Sequence, residues 1–336
     1  MTIPVPDELA PRGPAPSAPP RRPGSIRRTS TIDSTWPGGL GTDLVQDGRV
    51  RDLLTDHDGV GTVLDEETME LRVGPNRRIA EILGLPRKPD LTGLVGAPTG
   101  SGYRAVLAEV APEESQAATP LHLLLDDVPG AVLVSGFAFA QWMPVDELLG
   151  PPALRKQLRV MTGICTGFQP GSSGLAPDGT SRWTHRTRAV EEIDATEDPL
   201  GWHAVAEQTA VSMRRSRRID VAIEGDAILV DSFFQDSSTL PEGGRKAVHE
   251  YTLTAEVDLA TRTLQVITPV AQVLPYAECP LAVRNVDVLL GLPLRELRPA
   301  VLERLKGTAG CTHLNDALRA LADVHVLADR LGAIND

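Results

Sequence analysis

The chain has 336 residues, 41% of them hydrophobic, 4% aromatic, and a formal net charge of −12. That length suffices for a sizeable core and for two domains, and a core so poor in aromatics must be built mainly of Leu, Val, Ala and Ile. The acidic balance speaks against nucleic acid as the main partner, because phosphate binding needs a basic face.

Residues 1–26, rich in Pro, Ala and Arg without an apolar run, read as a disordered tail rather than a signal peptide or membrane anchor. Then "SIRRTSTIDSTWPGGLGTDLVQDGRVRDLLTD" alternates in the manner of strands, and "TVLDEETMELRV" at 62–73 reads as a hairpin. Residues 101–160 read as mostly helical, ending in "PPALRKQLRVM", with Pro129 expected to kink or divide the apolar run. The stretch "AVLVSGFAFAQWM" at 131–143 is too short to span a bilayer, so no membrane partner is expected. Residues 161–184, rich in Gly and Pro, form a linker or loop between an N-terminal α+β domain (27–160) and a C-terminal α+β domain (185–331).

In the second half, "SMRRSRRID" at 212–220 offers Arg214, Arg215, Arg217 and Arg218 as a phosphate or carboxylate clamp; a solvated strand edge is the simpler reading. "RRIDVAIEGDAILVDSFFQDSS" is two strands about a Gly-Asp turn. "AVHEYTLTAEVDLATRTLQVITPVAQVL" is two more about Asp258–Thr261, and three helices follow, from about Cys279, from "PLRELRP" and from about Cys311. The expected fold class is α+β: a four-stranded antiparallel sheet followed by three helices, preceded by a second β-plus-helix unit. "DEETMELRV" (65–73) and "DLATRTLQV" (258–266) share four residues in register, which duplication or two ordinary hairpins would explain.

The chemistry-bearing residues gather in this half. Asp236 ends the second strand and His249 opens the third. Cys279 precedes Pro280 at a helix start, and Cys311 and His313 open the last helix. Helix starts favour thiolate, which is both nucleophile and metal ligand. Cys279, Cys311 and His313, with His249 or Asp236, are therefore candidate ligands for zinc or iron, with the two sulfurs expected roughly 3.5–4 Å apart. Alternatively, Cys311 is a catalytic nucleophile with His249 or His313 as base, acting on an acyl or thioester substrate. In the plainest alternative the cysteines are core residues of a non-catalytic interaction module. Cys165 reads as a buried small residue. Three cysteines, an odd number, are too few for a secreted disulfide framework and point to a reducing cytoplasm.

The pieces "RRIDVAIEGDAILVDSFFQDSS", "HEYTLTAEVDLATRTLQVI", "YAECPLAVRNVDVLLG" and "GTAGCTHLNDALRAL" resemble the bacterial domain-of-unknown-function 2889 family over about residues 217–322. The resemblance implies a domain with Asp236, His249, Cys279, Cys311 and His313 as its polar signature, and it implies no activity. Ser237 and Ser238 stand where that family often shows Thr-Lys. A remoter resemblance is to NifU-like iron–sulfur scaffold proteins, which implies Cys279, Cys311 and His313 as cluster ligands.

Overall fold

The computed structural model describes residues 3–83, 90–150, 160–183, 186–195 and 197–335. Its centre is one antiparallel sheet of nine strands: β1 (Ser25–Thr35), β2 (Leu44–Thr55), β3 (Gly61–Val73), β4 (Ile79–Leu83), β5 (Arg188–Val190), β6 (Ser212–Glu224), β7 (Ala227–Thr239), β8 (Arg245–Asp258) and β9 (Leu264–Val273). They lie in the order β4-β3-β2-β1-β6-β7-β8, and β5 and β9 share the far edge of β8.

This overturns the expected α+β arrangement of a four-stranded sheet with three helices behind a separate unit. β1 pairs with β6 along its whole length, from Ser25↔Ala222 to Thr35↔Ser212, so the strands of the two halves make one sheet. The physical reason is edge pairing. Left apart, β1 and β6 would each present a ladder of unpaired N–H and C=O groups, and joining them removes both edges. The hairpin expected at 62–73 is also corrected. It is the single strand β3, so the segment resembling 258–266, which rounds a turn into β9, has a different conformation.

One face of the sheet carries the helices. The longest is α1 (Pro120–Ser135), capped by the Thr119 side chain accepting from the His122 N–H and buried almost throughout. It runs through Pro129 without dividing. With the short turns after it, the stretch Pro120–Trp142 has the length and composition to cross a membrane, yet 78% of its apolar window is buried inside the protein. After β9 come a 3₁₀ helix (Cys279–Leu289) and the helices α2 (Leu297–Arg304), α3 (Thr312–Ala320) and α4 (Val324–Asn335). The expected helix "PPALRKQLRVM" falls mostly outside the described residues.

Between sheet and helices the core is Leu, Val, Ala and Ile, as expected, but it also contains a layer of ion pairs. Arg28 on β1 bridges Asp52, its cross-strand partner on β2, to Asp323. Asp126 on α1 receives Arg104, Arg298 and Arg319. Arg217 pairs with Asp127. The reading of 212–220 as a solvated strand edge is therefore wrong: β6 is central in the sheet, and its arginines are buried and paired. Because side chains alternate along a strand, Arg215 and Arg217 face the helices while Arg214 and Arg218 face the other way. There Asp33, Glu192, Asp220 and Asp231 receive them. This second face is covered by irregular chain, since Arg27 donates to the carbonyls of Pro19 and Gly201, and Arg214 to that of Ala206.

Candidate functional site

Three neighbouring strands and one helix start assemble the site. Register places Arg215 (β6), Asp236 (β7) and His249 (β8) in one row across the sheet, Arg215 opposite Asp236 and Asp236 opposite His249. The ladder shifts by a residue just after Asp236, a bulge of the kind that re-aims side chains. Above this row, α3 begins with Cys311 as its extended N-cap residue and puts His313 in its first turn. Gly310 allows this approach: a Cβ there would lie 2.1 Å from the Leu305 carbonyl oxygen and against the Asn315 side chain.

The result is a buried cluster. His313 Nε2 lies 3.5 Å and His249 Nδ1 3.8 Å from Asp236 Oδ2, and the ligand atoms of all three residues fall within 4.8 Å of one another. The two imidazoles stack, centroids 3.4 Å apart and planes 14° apart. Arg215 grips the Asp236 carboxylate with Nε at 2.9 Å and Nη2 at 3.2 Å. Burial nevertheless pushes the Asp236 carboxyl up to about 6, because Arg215 only partly offsets it and Asp316 and Asp127 add negative charge nearby. Burial, then the charge of Arg215, holds His313 well below the ordinary imidazole range, so its ring is neutral. His313 Nδ1 lies 3.2 Å from Thr312 Oγ1 and 4.0 Å from Cys311 Sγ. Among the described residues its Nε2 is buried with no hydrogen-bond partner.

All three cysteines are free and buried close to this cluster. A Cβ at Gly167 would lie 2.6 Å from Cys279 Sγ and 3.9 Å from Cys165 Sγ, so both sulfurs border that glycine. The Thr166 N–H and hydroxyl donate to the Gly310 carbonyl, tying the 163–183 loop to the segment before Cys311. Cys279 and Cys311 do stand at helix starts, but desolvation outweighs that position. Burial raises the Cys311 thiol, pushes Cys279 well up, and takes Cys165 to about 12. Among the described residues, the compact group of donor atoms is Asp236, His249 and His313, and neither Cys279 nor Cys311 joins it. Cys165 is buried, as the sequence suggested, but its place near Cys279 was not legible. "GICTGF" has no periodicity to place it, and only the folding back of the loop brings it here.

The cluster adjoins a cavity of about 620 Å³ whose lining includes His249, His313, Cys165, Cys279 and Cys311. Fold and site together define a class: a sheet-and-helix protein with a buried histidine–carboxylate cluster beside a partly open pocket. Residues 213–327 match the model of a family described as "Protein of unknown function (DUF2889)". That match spans β6 to the start of α4, and so includes all five polar residues of the expected signature. No curated protein and no solved structure matches the chain. The likeness to iron–sulfur scaffold proteins is therefore unsupported.

Proposed function

We propose that Asp236, His249 and His313 hold one divalent metal ion, zinc or iron, at the end of the cavity. One observation carries this reading. Three donor atoms of ligand type, from three separate elements, converge within 4.8 Å in a buried place, and His313 Nε2 has no other partner there. Ligand atoms 2.0–2.2 Å from a tetrahedral ion stand about 3.4 Å apart, so the observed 3.5 and 3.8 Å edges need only small contraction. A proton kept on Nδ1 and shared with Thr312 leaves the Nε2 lone pair for the ion, and a neutral imidazole spares the ion competition with a proton. Arg215 orients the carboxylate from behind, as partners of metal ligands do. To bind, the stacked rings must tilt so that their lone pairs converge.

Three protein ligands leave coordination positions open toward the cavity, the arrangement of sites that bind or activate a small molecule. Three free thiols in the neighbourhood fit a reducing compartment such as the cytoplasm. The test is elemental analysis and zinc titration of the full chain beside His249→Ala, His313→Ala and Cys279→Ser variants. One ion per chain is expected, lost in both histidine variants and kept in Cys279→Ser. Metal content that ignores both histidines, or that depends on Cys279 alone, overturns the assignment.

A further inference from the structure

The chain contains only twelve aromatic residues: five Phe, four Trp and three Tyr. Six of them, Trp36, Phe137, Phe139, Phe168, Trp183 and Tyr276, line the cavity that also carries His249 and His313. The rest of the core is mainly aliphatic, with Tyr103, Phe234 and Tyr251 among its few buried rings, so half of the chain's rings meet at this place. The six come from distant parts of the chain: the end of β1, the turns after α1, the 163–183 loop and the segment after β9. Trp36 and Phe139 are tilted at 58° with centroids 4.6 Å apart, and Phe168 and Tyr276 at 59° with centroids 5.1 Å apart. Such pairs offer ring faces and edges to a third ring. Trp183 is held at φ 59°, a left-handed backbone conformation unusual for so bulky a residue, and strain of this kind concentrates at ligand sites.

We propose that this cavity binds a small planar aromatic compound with an oxygen donor, a phenolic hydroxyl or a carboxylate, at one end. The ring lies among the aromatic walls. The oxygen is directed to the end formed by His249 and His313. A volume of about 620 Å³ is in the range of small-molecule sites and accommodates one or two fused rings. The direction of the oxygen rests on the metal reading above; the preference for a ring does not.

Gly136 provides a test that spares the fold. It lines the cavity, its backbone is helical at φ −61°, and a Cβ there meets nothing within 4 Å. Gly136→Leu should therefore put a branched side chain into the pocket with its Cβ clear of neighbours. The experiment titrates the full chain, with zinc and with EDTA, against a panel of one- and two-ring aromatic acids and phenols. Cyclohexanecarboxylate serves as the saturated control, and quenching of tryptophan fluorescence and thermal shift are the readouts. At least one aromatic member should bind saturably and about tenfold more tightly than its saturated counterpart. Gly136→Leu should abolish that binding while keeping the wild-type metal content, and Phe168→Ala should weaken it. With EDTA, ring binding should persist, more weakly. If metal is absent but the panel still binds and Gly136→Leu stops it, the metal reading fails and this one stands. The inference is overturned if no panel member binds, if the saturated control binds equally well, or if Gly136→Leu binds as the wild type does.

Discussion

Asp126 and Asp236 occupy the same layer between sheet and helices, both all but inaccessible to solvent, yet their surroundings are opposite. Asp126 is gripped by three arginines, Arg104, Arg298 and Arg319. Burial alone would raise its pKa, but those charges hold it well below the usual carboxylate range. Around Asp236 the ratio is reversed. Arg215 is shared among Asp236, Asp316 and Asp127, and the Asp236 carboxyl rises to about 6. A saturated carboxylate fastens elements together and offers nothing to a ligand. An undersupplied one, next to two imidazoles, one of which has an unpartnered nitrogen, is a place where added positive charge would be stabilised.

The largest test of that contrast acts on the saturated side. Asp126→Asn leaves the buried Arg319 and the partly buried Arg104 and Arg298 short of their counter-charge and should cost about 3–5 kcal/mol, seen as a lowered urea midpoint. A loss under about 1 kcal/mol, the scale of an exposed pair, would remove the structural role assigned to this region. On the other side, His313→Gln should weaken zinc binding by at least about a hundredfold, read by competition with a chelating dye. It should cost the metal-free chain no more than about 1–2 kcal/mol. If it unfolds the chain as readily as Asp126→Asn does, the two regions do not differ in kind.

Acid distinguishes them further. Burial, with nearby arginines, lowers His122 beside the Asp126 network to about 4, and burial lowers His203 on the opposite face to about 3. Both bind protons more readily when unfolded. Their contribution is complete above the unfolded pKa near 6.5 and is lost as pH falls toward the folded values. Stability should decline at up to about 1.4 kcal/mol per pH unit for each histidine below pH 6.5. His122→Gln should flatten the slope between pH 6.5 and 4; an unchanged slope there would contradict the placement of a neutral His122. The smallest effect belongs to the surface. Arg262 and Asp329, 2.7 Å apart with Asp329 62% exposed, should contribute under about 0.5 kcal/mol, so Asp329→Asn should unfold with wild-type urea dependence.

Much of the secondary structure was legible. The hairpin β6–β7 turns at Gly225–Asp226, β8 leads to β9 through the turn after Asp258, and helical turns begin at Cys279 and just after Cys311, where alternation, turn residues and apolar spacing place them. These signals are local, since each depends on residues a few positions apart. The five polar residues of the C-terminal half were also singled out from their positions at strand ends and helix starts, and all five lie at or near one cavity.

Pairing across long separations was beyond the sequence. Nothing local in "SIRRTSTIDST" states that its partner is "SMRRSRRIDVAIE", because every strand has two edges and any antiparallel edge can take another. That pairing makes one sheet of nine strands, buries the arginines of β6, and turns an apparent solvent edge into an ionic core. The same limit applies at the site. Residue types indicated ligands, but whether the thiols or the carboxylate stand with the histidines depends on cross-strand register and on a bulge after Asp236. Tertiary structure also gathered half of the chain's aromatic residues into one wall. A ring's place in a cavity is set by which elements converge there, and sequence spacing carries no record of it.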